Sequence, residues 1–236
     1  MPRRVVVTLA LAALAVGACS SQASVISSTT ATSRSPDDAS SSSVAPTSSE
    51  PTTSSVAIAL EVLDPTLLGP RFRSAEAPIS AEAADENLAE LCPIIARARQ
   101  RHDPTRRERV VMSGRDSLPT VSQDLSVYRE ANAAAAVFNA LASDAMLRCL
   151  PKLVAESGLV LADVRVTRVP IDDVGDAAAA MRLRGTSVAG GLASSVDVEL
   201  IVVNVGTAVQ VVVVTSSDLF PLGEARRTAI ITALGP

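Results

Sequence analysis

Val196-Asp197-Val198-Glu199-Leu200-Ile201-Val202-Val203-Asn204-Val205-Gly206-Thr207-Ala208-Val209-Gln210-Val211-Val212-Val213-Val214-Thr215 decides the fold class of this chain. From Val196 to Leu200 apolar and acidic residues alternate, the period-two signature of a strand with one buried face and one face toward water or a polar cleft. From Val211 to Val214 the chain is apolar without interruption, as in a strand at the centre of a sheet or covered on both faces. Between them Gly206 supplies the positive φ that a tight turn needs, so the stretch reads as an antiparallel hairpin.

Upstream of the hairpin, two further strand-like runs cover Val164 to Val169 and Ala178 to Arg184. Before those lies an Ala-rich helical pattern from Asn132 to Ala155, with Val137, Phe138, Leu141, Met146 and Leu150 on one face. Strands are expected from Arg107 to Met112 and from Leu118 to Arg129, where Val121, Gln123, Leu125 and Val127 alternate with Ser122, Asp124 and Ser126. A helix from Ser80 to Arg101 has Ser80 as N-cap and Leu88, Leu91, Ile94 and Ile95 on a repeating face, with a kink or break expected at Pro93. Downstream, Gly223 to Leu234 reads as a closing helix that packs Ala225, Ala229, Ile230 and Leu234 on the sheet. The order is helix, two strands, long helix, four strands, helix. It predicts an α+β fold in which a mostly antiparallel sheet of five to six strands is packed by a long helix and two further helices.

The folded part does not begin at Met1. Arg3 and Arg4, the apolar run from Val5 to Val16 and the small residues Gly17 and Ala18 form an export signal over residues 1–18. That run is about 18 Å long as a helix, short of the roughly 30 Å hydrocarbon core of a bilayer. Val16-Gly17-Ala18-Cys19 resembles the bacterial lipobox, which implies Cys19 as the lipidated mature N-terminus, carrying a diacylglyceryl group and an N-acyl chain such as palmitate; the alternative is an ordinary secreted protein with an incidental Cys. From Ser20 to Ala57, 21 of 38 residues are Ser or Thr, too polar a composition to offset the entropy of ordering. Residues 19–57 are therefore expected to form a disordered tether spanning about 35 Å. O-glycosylation of that tract is the functional alternative.

Residues 58–236 then form one domain, with 18 basic and 22 acidic side chains. Three Phe, one Tyr and no Trp leave no aromatic platform for sugars or bases, and a formal charge of -4 opposes a phosphate-tracking surface, so nucleic acid is not an expected partner. All but Lys152 of the 21 basic residues are Arg, a bias typical of GC-rich genomes.

With Cys19 given to lipid, Cys92 and Cys149 remain as an even pair in an exported domain, which argues for one disulfide. It would tie the first helix to the second; two buried free thiols are the alternative.

No nucleophile elbow, Walker A loop, zincin motif, C-x-x-C or EF-hand loop is present. His102, the sole histidine, reads as a residue of an exposed charged turn. Asp172, Asp173 and Asp176 beside Gly175 read as a solvated turn more readily than as a Ca²⁺ loop. Gly185, Gly190 and Gly191 with Ser187, Ser194 and Ser195 read as a flexible connection, a cleft lip or a plain loop. Arg97, Arg99, Arg101, Arg106, Arg107 and Arg109 form a basic run, read as a solvated helix face with its loop or as a contact for anionic headgroups. No cofactor or metal site is expected.

Three stretches carry a family resemblance: Asp124-Leu125-Ser126-Val127-Tyr128 leading into Ala131 to Cys149, then Gly175-Asp176-Ala177, then Val202-Val203-Asn204-Val205-Gly206-Thr207-Ala208-Val209. In this order they resemble the PknH-like extracellular sensor domain of actinobacteria, over Leu60 to Leu234. Two departures stand out: the kinase-linked members carry two disulfides where this chain can form one, and Met146-Leu147-Arg148 replaces an aromatic residue often found before the helix-end Cys. The PsbP-like lipoprotein fold shares the same sheet-and-helix pattern. The resemblance implies a lipid-anchored, extracytoplasmic ligand-binding or sensory module with a cleft over the sheet and no catalytic machinery; a small molecule, a lipid or an envelope protein is the expected ligand, and a monomer the expected state. A lipid or glycolipid carrier with an apolar cavity is a second expectation. A hydrolase is a third, and it would need a Ser within reach of His102.

Overall fold

The computed structural model describes residues 61–75, 81–114, 118–171, 174–189 and 192–235. Cys19 and the tether lie outside the described residues, as do Ser80, Asp172, Asp173, Gly190 and Gly191. The chain opens with a 3-10 turn, Pro65–Leu68, whose cap Asp64 accepts a hydrogen bond from the Thr66 N–H at 2.7 Å. There follow β1 (Arg73–Ala75), α1 (Ala81–Leu91), α2 (Pro93–Arg101), β2 (Arg106–Ser113) and β3 (Thr120–Val127). Next come α3 (Ala131–Leu141), α4 (Asp144–Glu156), β4 (Ala162–Val169), β5 (Ala177–Ala189), β6 (Leu192–Val205), β7 (Ala208–Ser217) and α5 (Glu224–Leu234). The protein is α+β, and among the described residues its sheet has seven antiparallel strands in the order β1-β2-β3-β7-β6-β5-β4.

The opening stretch behaves as its pattern demands. Val205 pairs with Ala208 across a two-residue turn, and Gly206 takes φ 56°. On β6 the even-numbered residues Val198, Leu200 and Val202 face one core, while Ile201, Val203 and Val205 face another. The central strand β6 is thus covered on both sides.

One face packs against the four helices α1 to α4 through Leu88, Ile95, Val137, Phe138, Leu141, Met146 and Leu150. The other packs against α5 and the N-terminal segment through Ile230, Leu234, Leu68 and Phe72.

The sequence expectations need three corrections. The sheet has seven strands where five to six were expected, because β1 is three residues, Arg-Ser-Ala, with no alternation to reveal it. The expected long helix is two helices, α3 and α4, bent by 66°. Its break falls at Ser143, whose hydroxyl donates to the Ala140 carbonyl at 2.6 Å, and Asp144 then opens the new helix next to its N-terminal dipole. Pro151 lies inside α4 and cannot donate to the preceding turn. The break expected at Pro93 is present, separating α1 from α2.

The third correction concerns the expected glycine-serine connection. Gly185 and Ser187 belong to β5, and Ser194 and Ser195 to β6; the ladder runs unbroken from Gly185–Val196 to Ala189–Leu192. Gly185 sits there because a Cβ would come within 2.9 Å of Leu161 Cβ and 3.0 Å of the Ala162 carbonyl.

Cys92 and Cys149 are bonded, with Cα atoms 5.8 Å apart, so the joint between α1 and α2 is tied to α4. The Cys149 sulfur also lies 3.4 Å from the Leu91 carbonyl.

Candidate functional site

The cover of the α5 face is incomplete. Across β6, β7 and β3 that face is filled by Ile201, Val203, Val212, Val214 and Val121 beneath α5. Over β4 and β5 the same face turns polar, and successive cross-strand rungs read Arg165–Arg184, Thr167–Arg182 and Val169–Ala180. Strand pairing alone produces this ladder, since residues two apart on each strand point the same way and consecutive rungs are about 7 Å apart.

These rungs line an open groove of about 420 Å³, bordered by Arg165, Thr167, Val169, Pro170, Arg182 and Arg184, with Arg168 at its edge held by Asp144 at 2.7 Å. Its electrostatics are unbalanced. Arg184 Nε donates to Asp197 Oδ1 at 2.6 Å. Arg182 reaches Glu199 Oε2 only at 3.3 Å, because Glu199 is already engaged by Arg227 of α5 through bonds of 2.7 and 3.0 Å. The bond to Glu199 raises the Arg227 guanidinium above its already high value. Arg165 is exposed and has no hydrogen-bond or ion-pair partner among the described residues. Arg165, Arg182, Arg184 and Arg227 therefore face two carboxylates on the sheet, Asp197 and Glu199, with Glu224 of α5 lying 3.6 Å from Arg227 as a third.

The Arg165–Arg184 rung is the informative one. Like charges directly opposite each other on paired strands destabilise a sheet. Here that juxtaposition occurs on a solvent-open surface, where an anion could bridge the two forks.

Edge strand β4 is interrupted beside the groove. Its register shifts between Ala162 and Arg165, and Asp163 takes φ 52°. Such a bulge twists an edge and re-aims the side chains next to it.

The residues singled out in the sequence lie elsewhere. His102 is not in an open turn but caps the C-terminus of α2, half-buried, and its imidazole has no hydrogen-bond or ion-pair partner among the described residues. Asp176 accepts the Gly206 N–H at 2.6 Å, a role in holding the β6–β7 turn. The basic run divides between α2 and β2: Arg106 pairs with Glu108, Arg109 with Asp124, and Arg97 donates to the Pro93 carbonyl. Among the described residues, no three His, Cys, Asp or Glu side chains gather as a metal would require.

Arg165, Thr167, Arg182 and Arg184 are absent from the expected site residues. The available signal was arginine recurring with period two on neighbouring strands, at Arg182 and Arg184 and near Arg165. Recognising it as a groove requires the register of β4 on β5.

No family model and no curated protein matches the chain.

Proposed function

We propose that the protein is a lipid-anchored, extracytoplasmic, non-catalytic module of the PknH-like sensor kind, and that it binds a ligand in the groove over β4 and β5. The anchor rests on Val16-Gly17-Ala18-Cys19, and the tether on the Ser/Thr composition that follows. The observation that carries the ligand reading is the groove itself: a concavity of about 420 Å³ beside a packed core, with an unpartnered Arg165 opposite Arg184. Pockets of a few hundred Å³ with a few fixed polar groups are the usual form of small-molecule sites. A packed scaffold with a pre-formed, charged recess suits recognition, because its donors need little reordering when a ligand arrives.

The test is native mass spectrometry, with organic extraction, of the protein purified from an exporting host. A stoichiometric adduct that Arg184→Ala removes is the expected outcome. An unoccupied protein that also gains no thermal stability from any compound of a metabolite panel would overturn the ligand reading. Intact mass reads the anchor in the same experiment, since a diacylglyceryl and an acyl group on Cys19 add a mass that Cys19→Ser lacks.

A further inference from the structure

The chemistry of the ligand follows from the charge left over in the groove. Arg227 and Arg184 hold Glu199 and Asp197 at 2.7 and 2.6 Å, while Arg182 has only a 3.3 Å contact and Arg165 none among the described residues. Arg165 thus lacks a counter-charge among the described residues and Arg182 shares Glu199 with Arg227, so surplus positive charge lies on adjacent rungs of one sheet face. A dianion that accepts from two planar forks at once fits both the charge and the geometry, and a phosphomonoester, with a charge of roughly -1.5 to -2 near neutral pH and three acceptor oxygens, is that dianion.

The next rungs give the direction of the rest of the ligand. Beyond Arg165–Arg184 and Thr167–Arg182 the groove turns apolar, at Val169 and Pro170. On this basis, and resting on the ligand-binding reading above, we infer that the groove takes an alkyl phosphomonoester. Its phosphate is clamped by Arg165 and Arg184, with Arg182 and Thr167 beside it, and its apolar substituent lies toward Val169 and Pro170. The same chemistry occurs in small soluble phosphomonoesters and in the headgroup of a monoester phospholipid.

Isothermal calorimetry on residues 58–236 tests this. That segment is self-contained: among the described residues, both cores, the disulfide and every strand pairing lie between Leu63 and Leu234. Hexyl phosphate is expected to bind at least tenfold more tightly than inorganic phosphate, and dimethyl phosphate, a monoanion, more weakly than either. Arg165→Gln should weaken hexyl phosphate at least tenfold, and Arg165→Lys, which keeps the charge but loses the fork, should recover part of that loss. Arg165 is exposed, so a melting temperature no lower than that of the unsubstituted protein verifies folding. Dihexanoyl phosphatidic acid separates the two sources: tighter binding than hexyl phosphate assigns a lipid headgroup, weaker binding a soluble phosphomonoester. Equal affinity for hexyl phosphate and hexanol, or full affinity in Arg165→Gln, overturns the inference. An extracted ligand that contains no phosphorus and is lost in Arg184→Ala also overturns it while leaving the ligand-binding reading standing; an empty groove with no anion bound ends both.

Discussion

The side-chain amide of Gln123 donates to the side-chain carbonyl of Gln210 at 2.7 Å, joining β3 to β7 where neither residue meets solvent. The chain of bonds continues at both ends. Gln123 Oε1 accepts the Leu63 N–H at 2.5 Å, and Gln210 Nε2 donates to the Leu234 carbonyl at 2.9 Å. Two glutamines thereby fasten the first and last segments of the domain to the middle of the sheet.

Gln210→Leu should cost about 2 to 4 kcal/mol, because it leaves the Gln123 amide and the Leu234 carbonyl buried without partners. Urea unfolding of the two proteins measures it. A loss below about 0.5 kcal/mol would mean that the chain of bonds contributes little net stability.

Much of this architecture was legible beforehand, and the reasons differ by element. The β6–β7 hairpin was readable because period-two alternation, an apolar run and a turn glycine are all local signals. The break at Pro93 was readable because proline acts on its own backbone. The break at Ser143 was not: a serine within an alanine-rich helical pattern looks like one more helical residue, and only the bond to the Ala140 carbonyl shows the turn closing. The groove was beyond reach for a further reason. Arg165 and Arg184 lie on different strands with a loop between them, and pairing them needs the register of β4 on β5. The glycine at 185 looked like loop chemistry because the sequence does not show Leu161 packed against it.

Arg165→Glu should raise stability and abolish anion binding together. It replaces a like-charge rung by an attractive one, a gain of about 0.2 to 1 kcal/mol. Thermal unfolding and phosphate-ester calorimetry on the same preparation measure both effects; a less stable variant would show that Arg165 is not under repulsion.

Glu199 has a side chain only 8% exposed, and it meets Arg227 and Arg182, which are 18% and 28% exposed. Glu199→Gln removes the shared carboxylate and leaves two guanidinium groups facing each other. The expected loss is about 2 to 3 kcal/mol, below the range for fully buried pairs because both arginines keep some water. Guanidinium chloride would screen the effect, so urea is the denaturant of choice.

Removing the disulfide through Cys92→Ser with Cys149→Ser should lower stability by up to about 4 kcal/mol, the chain-entropy value for a loop of this size. The two cysteines are 57 residues apart. Unfolding with and without dithiothreitol provides an independent reading; identical midpoints would show that the bond adds nothing.

Acid should weaken the fold in a defined direction. Hydrogen bonds from Thr66, Arg106, Arg168 and Ser194 hold the carboxyls of Asp64, Glu108, Asp144 and Asp218 below their ordinary values. Groups with depressed folded values contribute stability above their unfolded values, near 3.8 for Asp and 4.5 for Glu, and lose it as pH falls through the folded ones. The melting temperature should therefore be level down to about pH 5 and fall below it. Asp144→Asn should flatten that fall. A decline beginning above pH 6 would point to a different set of groups.

The position of the Cys92–Cys149 bond has a mechanical consequence. A pull applied from the N-terminal side meets the Gln123 clasp on Leu63 first, then β1 and α1, and at Cys92 it is diverted through sulfur into α4. Such a pull can peel the leading elements from the sheet, but the load passes at Cys92 into the helical layer, on the face of the sheet opposite the arginine ladder.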